Sequence, residues 1–176
     1  MNYIRLAMRT NSNVTGTFNL PPDLLHATLG MCDEHFEYHM ARSWLNAVEE
    51  LGDFCWFIAL ASNALGAKPF DEWELFLDRS PEAALLQEAL AEFVGLVKKA
   101  YAYGAPLDEP RLTGLLYVMA GRIAKIAISK GKINPDDLLA ANIKKLKARF
   151  PAKFEQELAL VRDIKQEAAA MRSELQ

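Results

Sequence analysis

Four carboxylates have the spacing that metal chemistry needs. Glu34 and Glu37 lie three residues apart, as do Glu50 and Asp53. Residues three apart share one face of an α-helix, so each pair presents two acids on one side. Packing those two faces together would bring four carboxylates within a few ångströms, which mutual repulsion forbids unless cations sit between them. Mg²⁺ suits such a set, with Mn²⁺ as a substitute: it is a hard ion that prefers carboxylate oxygen, keeps several waters and bridges to substrate phosphates. His26, His35 and His39 show no metal-ligand grouping, so softer metals are disfavoured. Acids three apart on a helix more often mark a solvated face, and that alternative holds for Glu34 and Glu37 taken alone. Glu50 and Asp53 differ, because they interrupt a run in which Val48, Leu51, Phe54, Cys55, Ile58 and Ala59 call for burial. A partly buried, unpaired carboxylate is costly enough that the fold should have a use for it.

The elements that position these acids read as helices throughout. Alternating strand patterns are absent and helix punctuation is plentiful, so the class is all-α, a bundle of about five main helices in a single domain over 1–176. The first opens after Pro21-Pro22-Asp23 and runs to about Met40, with Leu25, Leu29, Cys32, Phe36 and Met40 at helical spacing as its apolar face. On the stripe of Glu34 and Glu37, the small residues Gly30 and Ala41 permit close helix approach. The second spans roughly Ser43 to Leu65 with Gly66 as its stop, and is apolar nearly all round, the pattern of a helix buried on most sides. Ser80-Pro81-Glu82 starts a third that ends near Gly104. A fourth covers about Glu109 to Lys130 and stops at Gly131, and Asn134-Pro135-Asp136-Asp137 caps a fifth that reaches about Phe150. Beyond Lys153, the residues Phe154, Leu158, Val161, Ala168, Met171 and Leu175 fall on one side of a final charged helix, a stripe suited to packing on a neighbour or on a second subunit.

Composition sets the outer limits. The 176 residues are 51% hydrophobic and 24% charged, with a net charge of −3, so the chain can bury a real core and offers no broad basic surface to a polynucleotide. The longest uninterrupted apolar run, Phe54 to Ala61, falls far short of the roughly 20 residues a bilayer requires. A cytoplasmic protein with no membrane partner is expected, its Cys32 and Cys55 reduced and in the core.

The same acids carry a family pattern. EHFE at Glu34 to Glu37, a spacer over residues 38 to 49 and EELGD at Glu49 to Asp53 together resemble the ExxE and ExxD motifs of MazG-like all-α nucleoside triphosphate pyrophosphohydrolases. The segment VEELGDFCWFIALASNALG, from Val48 to Gly66, is similar to the family's second motif helix, including the glycine between the acids and the aromatic pair Trp56-Phe57. LAMRT at Leu6 to Thr10, LLHATLG before the first motif, and ANIKKLKARFPAKF at Ala141 to Phe154, which resembles an NxxKLxxRyP segment, extend the likeness over most of the chain. The first motif departs from the family's usual GEAGEL by placing bulk where a small glycine stands. VKKAYAYGAPLD at Val97 to Asp108 resembles a stretch that relatives carry between the two motifs, which suggests a degenerate tandem repeat of hairpins over 20–66 and 81–131, with C-terminal helices over 135–176. In such a repeat Glu92 would match Glu37, while Ala89, Leu115 and Val118 would stand in place of Glu34, Glu50 and Asp53.

The resemblance implies an Mg²⁺-dependent enzyme that cleaves a nucleoside triphosphate between its α and β phosphates, releasing a monophosphate and pyrophosphate. Glu34, Glu37, Glu50 and Asp53 would be both metal ligands and catalytic groups, with Glu34 orienting or deprotonating the attacking water. Asn142, Lys145 and Arg149 share one face of the fifth helix and would supply cations and a donor to phosphate; Phe57 would meet the base, although aromatic residues at this spacing are more often core. The alternatives are a dimeric-type dUTPase, a phosphoribosyl-ATP pyrophosphatase of the same fold group, or a non-enzymatic helical interaction module. A homo-oligomer, dimer or tetramer, is expected.

Overall fold

The computed structural model describes residues 3–10, 20–71, 86–151, 155–157, 161 and 163–175, and these are helical with no strand among them. A short helix α1 (Tyr3–Ala7) runs into a 3-10 turn over Met8–Thr10. Then come α2 (Pro22–Met40), α3 (Trp44–Leu65), α4 (Leu86–Tyr103), α5 (Glu109–Ile126) with a π turn at Ala127–Gly131, α6 (Pro135–Arg149) and α7 (Ile164–Arg172). The beginning of the expected third helix at Ser80-Pro81-Glu82 lies outside the described residues.

Local chemistry sets the helix ends. Ser43 accepts the Asn46 backbone N–H at 3.2 Å and starts α3. Gly66, at φ 67°, ends it, and the Ala67 N–H reaches back to the Ser62 carbonyl at 2.9 Å. Asp108, Asn134 and Asp163 cap α5, α6 and α7 in the same way, through the N–H groups of Arg111, Asp136 and Gln166. Past the π turn, Lys132 rather than Gly131 takes the left-handed conformation, at φ 53°. A side chain at Gly131 would approach Ile133 Cδ1 to 3.2 Å, so the glycine there serves packing rather than backbone freedom.

Helix α3 is the hub: it forms an antiparallel hairpin with α2 across three residues and also packs on α5 and α6. That arrangement explains its apolar circumference, with Val48, Leu51, Phe54, Cys55 and Ile58 all buried. Helices α4 and α5 form a second hairpin, whose Phe93, Leu112, Leu116 and Ile123 have no exposed surface. Of the positions that a hairpin repeat would align with the acids, Ala89 and Leu115 are buried core residues. Glu92 is exposed and bound in bidentate fashion by Arg111 at 2.6 Å. Helix α5 with its π turn is long and apolar enough to cross a membrane, at a mean hydropathy of 1.4, yet more than half of that stretch is buried against its neighbours, as in a core helix.

The expected packing of α2 is corrected. The apolar stripe assigned to the core face of α2 is turned outward: Leu29, Phe36 and Met40 are each more than 60% exposed, Cys32 is exposed as well, and only Leu25 is half-buried. The helix buries Leu24, Ala27, Thr28, Gly30 and Met31 instead. The reason is angular: Phe36 lies roughly 200° around the helix from Glu34, so a face that turns Glu34 toward α3 must turn Phe36 away. Of the two thiols, only Cys55 is in the core. The terminal helix packs on a neighbour, one of the two partners its stripe suits. α7 packs on α6 of its own chain, with Met171 buried and Leu175 half-buried. Val161 is exposed, and Phe154 and Leu158 lie outside the described residues.

Candidate metal centre

Helices α2 and α3 bring Glu34, Glu50 and Asp53 together, one carboxylate oxygen from each lying within 4.8 Å of the others. The close approach depends on Gly30, where an added Cβ would stand 2.2 Å from the Phe57 ring. Glu50 is buried and the other two are half-buried. Glu37 is exposed and outside this set, although its charge acts on both glutamates.

The electrostatics follow from crowding. Burial first, then the charges of Asp53, Glu50 and Glu37, push the Glu34 carboxyl up to about 8, with Lys145 opposing. Burial, then Glu49, Glu37 and Asp53, push Glu50 up to about 7, again against Lys145. Glu34 Oε2 is shut off from solvent and has no hydrogen-bond partner. A buried acceptor in that state is expensive unless a proton or a cation meets it. Three hard carboxylates with one open oxygen fit a divalent cation that takes oxygen ligands.

The supporting groups come from α3 itself and from α6. Asn46 Nδ2 donates to Glu50 Oε1 one turn away. Asn142 Nδ2 donates to Asp53 Oδ1 at 2.7 Å. Gly52 makes that bond feasible, since a Cβ there would sit 3.0 Å from Asn142 Nδ2. Lys145 is 1% exposed; its Nζ pairs with Asp53 Oδ2 and reaches Glu49 Oε1 at 3.3 Å. Arg149 lies 4.0 Å from the buried Glu167 of α7 and over the Phe150 ring at 5.2 Å.

Beside the acids opens a pocket of about 250 Å³, lined by Glu34, Asp53 and Lys145 together with aromatic rings. Trp56 and Phe57 meet edge to face at 4.9 Å, and His26 lies edge-on to Phe57 at 5.5 Å. Trp56 is 38% exposed, so the pair forms a pocket wall rather than the interior of the core. Of the phosphate and base candidates, Lys145, Arg149 and Phe57 line this pocket, whereas Asn142 is committed to Asp53. Asn46, Glu49 and Phe150 join the site without having been singled out. Asn46 stands four residues before Glu50, a spacing that places the two side chains together on a helix. No family model, curated protein or solved structure matches this chain.

The raised carboxyls make stability depend on pH. Glu34 and Glu50 hold their protons more tightly in the fold than in the unfolded chain, where glutamate titrates near 4.3. Their contribution is therefore greatest at acidic pH and is lost as pH rises toward about 7 for Glu50 and about 8 for Glu34. In EDTA the melting temperature should fall between about pH 5 and about pH 8.5, and a bound divalent cation should flatten that fall by displacing the protons. Thermal melts across this range, with and without the cation, check both halves; identical pH profiles would mean that no cation binds these acids.

Proposed function

We propose that the chain is an Mg²⁺-dependent nucleoside triphosphate pyrophosphohydrolase of the MazG-like kind, hydrolysing a ribo- or deoxyribonucleoside triphosphate to the monophosphate and pyrophosphate. The observation that carries this reading is the convergence of Glu34, Glu50 and Asp53 around an unpartnered buried oxygen, next to a pocket with aromatic walls. Glu34, Glu50 and Asp53 would hold the ion, with Glu37 reaching it from the rim. An Mg²⁺ ion held there would neutralise phosphate charge and lower the pKa of the attacking water. Glu34 would orient or deprotonate that water. Asn142 and Asn46 fix the orientations of Asp53 and Glu50 through the hydrogen bonds described above. Lys145 and Arg149 bring positive charge to the phosphates from the pocket wall, and Trp56 and Phe57 stack on the base.

The test is a turnover panel of ribo- and deoxyribonucleoside triphosphates with Mg²⁺ or Mn²⁺, scored for pyrophosphate and monophosphate. Release of both from several triphosphates is expected. A strict demand for dUTP or for phosphoribosyl-ATP would move the chain to a neighbouring activity of the same fold group. Absence of turnover across the panel would leave a helical interaction module.

A second copy of the chain is the proposed partner, in a dimer or tetramer. The support is the outward stripe of Leu29, Phe36 and Met40 on α2, adjacent to the pocket through Phe57. Light scattering should give a mass above the 19.7 kDa of one chain, and Phe36→Glu should return it to that value. A wild-type monomer would contradict the assignment.

A further inference from the structure

A second pocket, of about 330 Å³, lies between α2, the start of α4 and the end of α5, and its charge is opposite to that of the metal centre. Arg122, Lys125 and Lys130 line it, and no acid stands among its described lining residues. The contrast with other cations is informative. Lys144 pairs with Glu174, Lys145 with Asp53 and Arg111 with Glu92, whereas no carboxylate of the described residues lies within ion-pair distance of Lys125 or Lys130. Like charges gathered in a concave site raise its potential and favour an anion there.

The remaining lining supplies hydrogen bonds and one apolar surface. Tyr38 and Ser129 bring hydroxyls, and Ile126 brings an apolar wall. Ser129 and Lys130 belong to the π turn that interrupts the end of α5, a local departure from α-helix that recurs at functional sites. Two lysines, with hydroxyl donors and a hydrophobic side, match a phosphate group joined to a small organic body better than they match a bare halide or a neutral ligand.

We propose that this pocket is a second binding site, for a small phosphorylated organic anion, separate from the acidic centre and needing no metal. It therefore stands whether or not the acids perform hydrolysis. The decisive measurement is calorimetric titration of the full-length protein in EDTA, with adenosine monophosphate and inorganic pyrophosphate as probes. In EDTA the acidic centre has no ion to bridge its carboxylates to a phosphate. Saturable binding of at least one probe at one site per chain is expected, with affinity undiminished in Asp53→Asn. The double variant Lys125→Gln/Lys130→Gln should weaken it by at least about tenfold, since a hydrogen bond to a charged group contributes on that scale. Circular dichroism of the double variant verifies that it folds; should it not, Lys130→Gln alone, at an exposed position, should still weaken binding several-fold. Failure of both probes to bind the wild type, or equal binding by the folded lysine variants, would overturn the site. A changed affinity in Asp53→Asn, in either direction, with the folded lysine variants binding as wild type does, would reassign it to the acidic centre.

Discussion

Asp53→Asn should lose Mg²⁺-dependent pyrophosphate release by on the order of 10³-fold, a loss comparable to removing one preorganised electrostatic contact at a reacting centre. Its helical content should not change. Asp53 is where the two halves of the site meet: one oxygen accepts from Asn142 at 2.7 Å and the other pairs with Lys145. An amide can keep one of those contacts but cannot supply the charge a cation needs. Glu34→Gln makes the complementary case. It should show a similar loss of turnover, yet in EDTA near pH 8 it should melt higher than the wild type. The acid it removes is held up to about 8 by burial and by three neighbouring carboxylates, so ionising it works against the fold. Opposite signs for stability and activity at one residue would mark a group kept for chemistry rather than packing. Undiminished turnover in both variants would remove these acids from the mechanism.

The convergence of Glu34 with Glu50 and Asp53 could be read from spacing, because a three-residue step fixes which side chains share a helix face, and the apolar surroundings of Glu50 and Asp53 showed that their face is turned inward. The limits of α3 were equally legible, since Ser43 and Gly66 have the cap chemistry that ends helices. The core face of α2 was not. That helix carries two apolar stripes, and periodicity alone does not say which one packs; Glu34 decides it, because it and Phe36 cannot both face α3. Lys144 and Lys145 are neighbours of identical type, and spacing puts only Lys145 on the helix face of Asn142 and Arg149. Lys145 is buried against α3, while Lys144 lies on the surface with Ser173 and Glu174. Their difference is created by where α6 docks, and Gly52 is the local cause, because it lets Asn142 and hence α6 close on α3. The partner of α7 is likewise a matter of docking: an apolar stripe on a charged helix shows that something covers it, not what.

Lys145→Ala should destabilise the metal-free protein by about 3–5 kcal/mol, the cost of breaking a buried ion pair by removing one partner. The side chain of Lys145 is 2% exposed and its acid partners Asp53 and Glu49 are 22% and 20% exposed, so water cannot readily replace the lost charge. Its removal takes away the cation that counters the rise of both Glu34 and Glu50, leaving crowded carboxylates to repel one another. Lys145→Met retains most of the apolar stem and separates the packing part of the loss from the electrostatic part. Urea midpoints in EDTA measure the effect, which should grow as pH rises through the range in which Glu50 and Glu34 ionise. Saturating Mg²⁺ should then stabilise the lysine variants more than the wild type, because the bound ion supplies the positive charge they lack; about 2.7 kcal/mol is expected at a hundredfold excess over Kd. Equal stabilisation of variant and wild type would mean that Lys145 and the cation do not share the same acids. A larger response in the variants would establish that the lysine holds the carboxylates together until a cation arrives.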